Sequence, residues 1–586
     1  MNKLNKRLLA AFTVLVMGFG TLFAQGTKDN YLNSYLTLES LTDNDTITLR
    51  IPAALTSDQL AWVAYSTDST NWTVMEVDGT LKKDTVILNQ GEKVFLKGYG
   101  KQCNIVVDNY WHYLRLKGSG DHVVYGNIMS LLYGDDFASQ TAFPDGSTYA
   151  FSYLFHSDRH LVSVENLVLP ATTLAYGCYY GMFIWCSSLS SPVPELPATE
   201  LVDRCYQFMY YNCELLTEAP ALPATTLAPL CYYRMFNECI SLTTAPELPA
   251  TTLAHQCYLG MFNGCTSLTT APSLPATTLT ERCYQQMFNG CASLTTAPAL
   301  PATTLADNCY YGMFYECTSL TTAPVLPATT LTNACYGYMF GGCSSLTEAP
   351  ALLATTMADL SCSCMFAQCT SLTQAPALPA TSLATECYAF MFYDCTSLTD
   401  APALPANVMA PSCYKAMFAG CSSLTKGPDL TAPVLVFECY AGLFERCVQL
   451  QEVVCLATDL SAESCVETWM EGVASRGIFY KAPEMNDWPL NSTSGIPEGW
   501  AVANYDGVDE LQKQVTVYPN PVVDKLHISG TDIQSVKLYD VQGRLVRSES
   551  YDHADQVELD FQGYAKGIYS VTILSHGQVV SKKIVY

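Results

Sequence analysis

Cysteine is the residue type with the greatest capacity for chemistry in this chain, because 26 of the 586 residues are cysteines and most recur at fixed spacing. One column repeats every 26 residues from Cys205 to Cys335, and a second column, from Cys213 to Cys343, follows it eight residues later. Twenty-one cysteines belong to these columns. Such an array could form disulfides, hold metal ions, supply a nucleophile or pack as buried thiols.

Disulfides are the usual use of cysteine in an exported protein. If the span between the columns is helical, the two cysteines of a unit lie about 12 Å apart, whereas a bridge needs Cα atoms within about 7 Å. Equivalent cysteines on packed helices would be roughly 8–10 Å apart. We therefore favour buried free thiols that act as small apolar residues. Bridges between units are the alternative, and Cys455 with Cys465 is the pair least constrained by the columns.

Metal binding and catalysis have little support in the residue pattern. Zinc needs four converging ligands, but the only close cysteine pair is Cys362 and Cys364, in the one unit whose column cysteine is replaced by Ser361. A slipped register explains that pair. None of the eight histidines recurs with the period, and His255, two residues before Cys257, occupies a variable position. Without a nucleophile, metal or phosphate-binding motif, we expect no enzyme, no metal and no cofactor.

The exact period predicts a solenoid, in which each unit buries its apolar side against its neighbours. Residues 303–324, TTLADNCYYGMFYECTSLTTAP, represent the unit. We expect a short strand at SLTTA, an extended corner at the two prolines, and one short helix or irregular turn around the cysteines. Asp307 and Asn308 would cap that helix.

The solenoid should contain eleven complete or nearly complete units between two worn ones. The first worn unit, around residues 153–155, lacks cysteines, and the last keeps Cys465 but has Val473 in the second column. Terminal repeats are expected to be atypical because one face has no neighbour. The units begin at Cys178, Cys205, Cys231, Cys257, Cys283, Cys309, Cys335, Ser361, Cys387, Cys413 and Cys439.

The remaining segments lie before and after the solenoid in the sequence. Residues 29–100 alternate between apolar and polar, which predicts an antiparallel sandwich with Trp62 and Trp72 in its core. An extension follows, where residues 126–134, GNIMSLLYG, fit either a short helix or a buried strand. After a segment rich in Pro, Gly, Ser and Asn, strands resume near residue 511 and predict a second compact sandwich.

The first 24 residues have the pattern of a bacterial export signal. Lys3, Lys6 and Arg7 precede an apolar stretch at residues 8–23, and Ala24 offers a cleavage point. No other apolar run approaches the roughly 20 residues that span a bilayer, so we expect no transmembrane span in the mature chain. A net charge of −25 without a basic patch argues against nucleic acid and anionic membranes as partners.

The repeat MFxGCTSLTTAPxLPATTL resembles the BspA-like class of leucine-rich repeats found on surface proteins of Gram-negative anaerobes. The first sandwich, the GNIMSL stretch and the later GVASRGIFYKAPEM segment are also similar to that family, so the resemblance covers roughly residues 29–505. Members are described as adhesins or host-interaction proteins. The resemblance implies a binding function, and it does not name a ligand.

The last 76 residues resemble the type A C-terminal sorting domain of type IX secretion. The resemblance implies passage across the outer membrane through the type IX machinery, then removal of this domain as the protein is attached to the surface or released. The matching motif residues are Tyr518, Pro519, Asn520, Pro521, Gly543, Gly567, Tyr569, Lys582 and Lys583.

Together these patterns predict a β-rich fold with short helices, in five segments. The segments are a signal peptide at 1–24, an N-terminal β-sandwich and extension at 25–145, a leucine-rich-repeat solenoid of 26-residue rungs at 146–480, a terminal segment and linker at 481–510, and an Ig-like β-sandwich sorting domain at 511–586.

Two sets of solenoid residues are candidate ligand faces. One is the array of threonine pairs that stacking places in register; the other is a set of positions near the first cysteine that vary between units. Each set also has a structural interpretation: the threonines as solvated strand residues, and the variable positions as unconstrained surface. The threonines are Thr243, Thr244, Thr269, Thr270, Thr295, Thr296, Thr321 and Thr322, and the variable positions are Arg234, Gln285, Tyr311, Tyr338 and Lys415.

We therefore expect a protein exported through the inner membrane and delivered to the outer-membrane surface or the medium. Its expected role is non-catalytic binding of a protein ligand through the solenoid, as an adhesin or host-interaction protein. The alternatives are recognition of a glycan or bacterial-surface component, and a passive structural role in the surface layer.

Overall fold

The computed structural model describes residues 31–107, 110–486, 488–491, 493–505, 515–542, 544–575 and 578–586. The predicted signal peptide and Gly543 of the predicted sorting motif lie outside these ranges. The chain divides into two compact units, Met1–Ala503 and Asn504–Tyr586. None of the helices in the described ranges has the length and apolar character that a membrane span requires.

The N-terminal part of the first unit contains two sheets and a hairpin. The larger sheet has the order β11-β10-β1-β6-β3-β4, with β12 also paired to β10, and the smaller has the order β5-β2-β9. The elements are β1 Leu36–Ser40, β2 Asp45–Ile51, β3 Leu60–Ser66, β4 Thr73–Glu76, β5 Lys82–Leu88, β6 Lys93–Gly100, β7 Asn104–Val107, β8 Tyr110–Tyr113, β9 Arg115–Lys117, β10 His122–Asn127, α1 Ser130–Tyr133, a 3₁₀ turn Gly134–Asp136, β11 Leu161–Ser163 and β12 Leu167–Val168.

The larger sheet connects the N-terminal strands to the solenoid. β1 pairs with β10 and β6 in antiparallel fashion, as the alternating sequence predicts, but β10 pairs in parallel with β11 and β12. β11 and β12 belong to the first, cysteine-free rung of the solenoid. The N-terminal sheet therefore supplies the neighbour that this worn rung needs to cover its open side.

The two tryptophans predicted for the sandwich core are only half-buried. In β3 a register shift between Leu60 and Trp62 places Val63 and Ala64 in the core instead. An inserted residue turns the following side chains to the other face of a sheet, which the alternation in the sequence did not reveal. The ring of Trp72 lies under Lys97, whose Nζ is 4.2 Å from its centroid.

The alternatives for residues 126–134 are both partly right. β10 continues to Asn127, and the short helix α1 follows from Ser130 to Tyr133. The helix packs with its first three residues buried.

Each solenoid rung is built from consecutive tight turns, and the short helix expected around the cysteines does not form in the described rungs. Amide groups alternate between two partners: Gln285 N donates to Arg282 O in its own rung (3.3 Å), and Gln286 N donates to Tyr311 O in the next (2.8 Å). An α-helix would use both amides internally. Arg282 and Gln286 have φ of 55° and 54°, the left-handed conformation that some turns require at their third residue.

The predicted helix cap at Asp307 and Asn308 is wrong for the same reason. Asn308 has φ of 56° and donates its amide to Asn333 O of the next rung (2.9 Å). The Asp307 carboxylate accepts from the amide of Asn333 (3.1 Å). Both residues therefore join neighbouring rungs and cap no helix.

The predicted strand SLTTA is reduced to isolated parallel bridges in most rungs, such as Thr244 with Thr270 and Thr296 with Thr322. Rungs joined by backbone hydrogen bonds are spaced like strands, roughly 5 Å apart. This spacing replaces the helix-packing distance from which the sequence argument about cysteine bridges started.

Two columns of stacked aromatic rings fill the solenoid core. One runs without interruption from Phe155 in the worn first rung to Phe444; its Phe262 and Phe288 rings, for example, are 5.8 Å apart and 4° from parallel. The other consists of the tyrosines that follow the first-column cysteines, beginning at Tyr179. The rings, the cysteines and the leucines of each rung form one continuous cluster.

The C-terminal end of the solenoid is a sheet with a tryptophan cap. β13 Lys426–Leu430, β14 Glu452–Cys455 and β15 Ile478–Lys481 pair in parallel, and β16 Ala501–Asn504 extends the sheet. Trp469 stacks on Trp488 at 5.4 Å and meets Phe479 edge-on, and its Nε1 donates to Gly495 O (2.9 Å). These contacts close the aromatic core where the repeats end.

The second unit is an antiparallel sheet of five strands with its own hydrophobic core. The strand order is β17-β18-β20-β21, with β19 also paired to β18. The two longest strands shift register between Ser529 and Ile533. The strands are β17 Thr516–Tyr518, β18 Lys525–Asp540, β19 Leu545–Asp560, β20 Ile568–Ser575 and β21 Gln578–Val585.

Candidate functional site

The geometry of the two cysteine columns indicates a structural role. All 26 cysteines are buried and free. In the second column each thiol reaches back one rung: Cys291 Sγ donates to Phe262 O at 3.2 Å, and the same carbonyl accepts the amide of Cys265 at 3.1 Å. A small side chain with a weak donor therefore satisfies the second lone pair of a buried carbonyl.

The thiols are poor candidates for chemistry. Burial raises the pKa of Cys283 to about 12, and the thiolate is the reactive form. His255 does not pair with Cys257: its Nδ1 lies 3.8 Å from the Glu281 carboxylate at the surface, while Cys257 is buried and burial raises its pKa well above the ordinary value. Within the described ranges, no three His, Cys, Asp or Glu side chains converge as a metal site would require.

The predicted threonine pairs form one exposed face, which we call the threonine face. The first threonine of a pair bonds the previous rung: Thr269 N and Oγ1 both donate to Thr243 O, at 3.1 and 3.2 Å. Thr321 binds Thr295 O in the same way, with its Oγ1 at 3.3 Å. These hydroxyls are committed to holding rungs together.

The second threonine of each pair projects into solvent. Thr244, Thr270, Thr296 and Thr322 form parallel bridges through the backbone, and none of their hydroxyls makes a hydrogen bond within the described residues. They form a regular and identical array. These four rungs offer many hydroxyls and little variation, whereas the same position holds Glu218, Glu348, Gln374 and Asp400 in other rungs.

The predicted variable residues lie on a second surface, at the second and third positions after the first-column cysteine. We call these two positions in every rung the turn face. The third position has positive φ throughout, so a long side chain there is held outward by a turn. The turn face carries the candidates Arg234, Gln285, Tyr311, Tyr338 and Lys415.

Only two of these five residues contact each other. The Tyr311 and Tyr338 rings are 5.4 Å apart, and Tyr315 meets Tyr338 at 6.1 Å, so neighbouring rungs build an aromatic patch. Tyr338 is 37% exposed. A hydrogen bond with Cys364, together with burial, raises the pKa of Tyr338, so its hydroxyl stays protonated at physiological pH.

The other three candidates lie on separate rungs. The guanidinium of Arg234 lies 5.5 Å from the Tyr233 ring centroid. Lys415 Nζ is 2.6 Å from the Glu438 carboxylate of the next rung, and this contact lowers the Glu438 pKa. Gln285 Oε1 is buried without a hydrogen-bond partner. The turn face is thus a row of local clusters and not one compact pocket.

Trp185 was missed by the sequence reasoning. It is 44% exposed and precedes a second-column cysteine, a position where five other rungs have glycine. Its ring meets His156 at 5.2 Å and Tyr211 at 6.4 Å. The signal was present in the unit MFIWC, which differs from MFNGC at two positions: Ile184 replaces Asn, and Trp185 replaces Gly at the turn position.

The second unit brings the separate parts of the predicted sorting motif together. The side chain of Asn520 bonds the terminal strand twice, donating to Lys583 O and accepting from Val585 N, both at 2.9 Å. Gly567 and Tyr586 exchange two backbone hydrogen bonds. Tyr569 and Lys582 lie in β20 and β21, which pair along their length, and Tyr518, Pro519 and Pro521 flank Asn520.

Comparison with protein families identifies the solenoid repeats as leucine-rich repeats and the C-terminal segment as a sorting domain. The model of the BspA type leucine rich repeat region matches in six copies, over residues 179–321, 231–356 and 353–462. The model of the secretion system C-terminal sorting domain matches residues 516–586. A search of curated proteins finds no match.

Among solved structures, the chain is similar to one from the "Crystal structure of TLR13-ssRNA13 complex". The identity is 16%, the TM-score is 0.23, and the match covers 54% of this chain and 41% of that chain.

Proposed function

From the premise that this chain is a BspA-like leucine-rich-repeat protein with a secretion-system C-terminal sorting domain, we propose that it is a non-catalytic adhesin or host-interaction protein. The sorting domain indicates export to the outer-membrane surface or the medium and contact with the secretion machinery. The proposed step beyond this is binding of a host protein through the turn face of the solenoid.

One observation carries this proposal: side chains on the turn face vary while the core beneath them stays constant. The rungs share the same buried columns of aromatic rings, cysteines and leucines, yet the turn-face positions hold Arg, Gln, Tyr and Lys at different rungs. Of these candidates Tyr338 is exposed and the others are half-buried. A rigid scaffold with a variable surface is how repeat proteins build extended binding sites. Arg and Tyr are also the residues that most often anchor protein interfaces.

The threonine face is less suited to selective recognition. The hydroxyls of Thr243, Thr269 and Thr321 already bond backbone carbonyls of the previous rung. The second threonines are identical in the four rungs from Thr244 to Thr322, so along that stretch nothing distinguishes one rung from the next for a partner. The same position holds Glu218, Glu348, Gln374 and Asp400 in other rungs. We assign this face to rung stacking and solubility.

A protein suits the turn face as a ligand because its candidate residues are spread over many rungs. Arg234 and Lys415 belong to rungs that begin at Cys231 and Cys413, seven repeats apart. A stable protein interface needs about 800 Å² from each partner, which such a row can supply. A passive structural role remains the alternative, since a spacer would tolerate the same variation.

The experiment is a binding screen of the full-length chain against extracellular-matrix proteins and epithelial cells. Saturable binding to one protein, weakened by Arg234→Ala or Tyr338→Ala, would support the proposal. Lack of saturable binding to every partner, at concentrations where an adhesin is active, would favour the structural role. Binding that survives both substitutions would place the site elsewhere.

A further inference from the structure

We propose that a cleft beside Trp185, at the N-terminal end of the solenoid, binds a neutral saccharide unit. The cleft has a volume of about 650 Å³ and is lined by Ser157, Arg159, Trp185, Ser187, Asn212 and Glu214. Its volume lies within the range of small-molecule sites, about 300–1,000 Å³. This site goes beyond the protein-binding role proposed above and uses other residues.

The conformation of Trp185 is the first argument. Its φ is 62°, a left-handed conformation that a bulky side chain adopts only at a cost. Gly264, Gly290, Gly342, Gly420 and Gly472 occupy the same position in other rungs, all with positive φ. Glycine would therefore serve the turn better. The same position in the remaining rungs is held by polar residues that also have positive φ, namely Asn212, Glu238, Glu316, Gln368, Asp394 and Arg446. Trp185 differs from all of them because it leaves a large apolar ring 44% exposed, which we attribute to binding.

The polar walls of the cleft are held in place before any ligand arrives. Ser157 Oγ lies 3.2 Å from His156 Nε2, and the Nδ1 of that ring lies 3.0 Å from the Tyr113 hydroxyl. Asn212 Nδ2 donates to Glu214 Oε1 at 3.2 Å. Each of these groups keeps unused donors or acceptors. Pre-positioned polar groups lower the entropic cost of binding.

The imidazole ring of His156 is neutral and positions the Ser157 wall of the cleft. Burial, together with the charges of Arg115 and Lys117, lowers the pKa of His156 to about 4. It therefore carries no charge at physiological pH and orients the Ser157 hydroxyl through a neutral hydrogen bond. The ring also packs 5.2 Å from Trp185, which fixes the tryptophan from behind.

This combination matches the chemistry of a pyranose ring. A sugar presents one face of C–H groups, which an exposed indole covers well, and a rim of hydroxyls that both donate and accept. Serine, asparagine and carboxylate groups supply those partners. Arg159 and Glu214 bring one positive and one negative charge to the cleft, and the chain carries −25 overall, so a neutral sugar fits better than an anionic one.

The test is a titration of the full-length chain with neutral oligosaccharides ending in galactose, mannose or N-acetylglucosamine, followed by ligand-observed NMR and tryptophan fluorescence. Isolated sugar units bind weakly, so concentrations should reach about 10 mM. Trp185→Gly should weaken binding by at least about tenfold, and Asn212→Ala by roughly three- to tenfold. Because glycine suits the φ of 62°, its gain should offset the lost contacts with His156 and Tyr211, so Trp185→Gly should change the melting temperature little.

Tyr338→Gly is the matched control, since it also replaces an aromatic residue with φ of 57° on another rung. It should leave saccharide binding unchanged, whereas Trp185→Gly should leave binding to a host protein unchanged, so the two proposals fail separately. The saccharide proposal is overturned if no neutral sugar binds, if only anionic sugars bind, or if Trp185→Gly retains full affinity. It is also overturned if that variant melts substantially lower, because Trp185 would then be structural.

Discussion

Cys362 interrupts the column of buried tyrosines at a single point. Tyr336 precedes it and Tyr388 follows it, and both continue normal stacks with their other neighbours. A small cavity of about 10 Å³, lined in part by Leu353 and Cys362, lies at the gap. The slipped sequence CSCM thus removes one ring from the core and leaves a packing defect.

We predict that Cys362→Tyr stabilises the solenoid by about 1–2 kcal/mol, because the ring would stack between two tyrosines as in every neighbouring rung. Thermal unfolding of the full-length chain measures this as a higher melting temperature. The reverse substitution in an intact part of the column, Tyr284→Cys, should lower it. A decrease for Cys362→Tyr would mean that the surrounding side chains have closed the space.

His122 joins the N-terminal sheet to the first rung. Its Nε2 lies 3.3 Å from the Asp158 carboxylate, and both side chains are buried. Burial lowers the pKa of His122, but Asp158, the carbonyl of Gly120 and the charge of Asp45 outweigh it, so the net shift is upward from 6.5. A raised pKa in the folded state means that folding favours the protonated ring.

The stabilisation from protonated His122 should therefore be complete below about pH 6.5 and be lost as the pH rises through the raised pKa. We predict that the difference in melting temperature between the wild type and His122→Gln is largest near pH 6 and shrinks at alkaline pH. Melting curves of both proteins across this range provide the measurement. A difference that grows with pH would show that His122 is buried as the neutral ring.

Within the described rungs, the second-column cysteine donates a hydrogen bond to the previous rung, and the first-column cysteine does not. Cys291 donates its thiol to the Phe262 carbonyl of the previous rung, whereas the polar groups beside the Cys283 thiol belong to its own rung, chiefly Thr280. Cys291→Ala should therefore cost about 0.5–1.5 kcal/mol more than Cys283→Ala, since it leaves a buried carbonyl short of one donor. Melting temperatures of the two variants test this. Equal decreases in melting temperature for the two variants would show that both cysteine columns act only as apolar packing residues.

Much of the solenoid was predictable from the sequence. The 26-residue period, the worn terminal units and the burial of both cysteine columns follow from residue types and spacing alone. The turn structure of the rungs could not be predicted, because Arg282 and Gln286 adopt positive φ although they are not glycine. Their conformation is imposed by amide bonds to the next rung, which are tertiary interactions that local propensity does not report.

The candidate faces were predictable only in part. Stacking in register placed the threonines and the variable positions correctly on two surfaces, since a fixed period fixes each column. The roles of the threonine hydroxyls and the cleft at Trp185 could not be inferred, because both depend on side chains from neighbouring rungs. The prediction for Trp62 was wrong because of a register shift in β3, whereas Trp72 lies before β4 and is half-buried against Lys97.

For the whole molecule, buried thiols in an exported protein are the feature most open to direct test. All 26 cysteines are buried and free in the structure, although its close rung spacing weakens the distance argument against bridges. We predict negligible reaction with a thiol reagent in the native chain and labelling of all 26 after denaturation without reductant. Labelling well below that number would establish bridges between rungs.

The central claim is that the turn face, and not the threonine face, binds a host protein. It is tested most directly by comparing two triple variants of the full-length chain against the matrix protein that binds best. The turn-face variant is Arg234→Ala, Tyr338→Ala and Lys415→Ala, and the threonine-face variant is Thr244→Ala, Thr270→Ala and Thr322→Ala.

We expect the turn-face variant to weaken binding by about 100-fold, because aromatic and arginine anchors dominate interface energies. The threonine-face variant should stay within about twofold, as expected for exposed residues outside an interface. Circular dichroism and melting curves confirm that both variants keep the fold. The reverse pattern, with affinity lost only when the threonines are removed, would contradict the account.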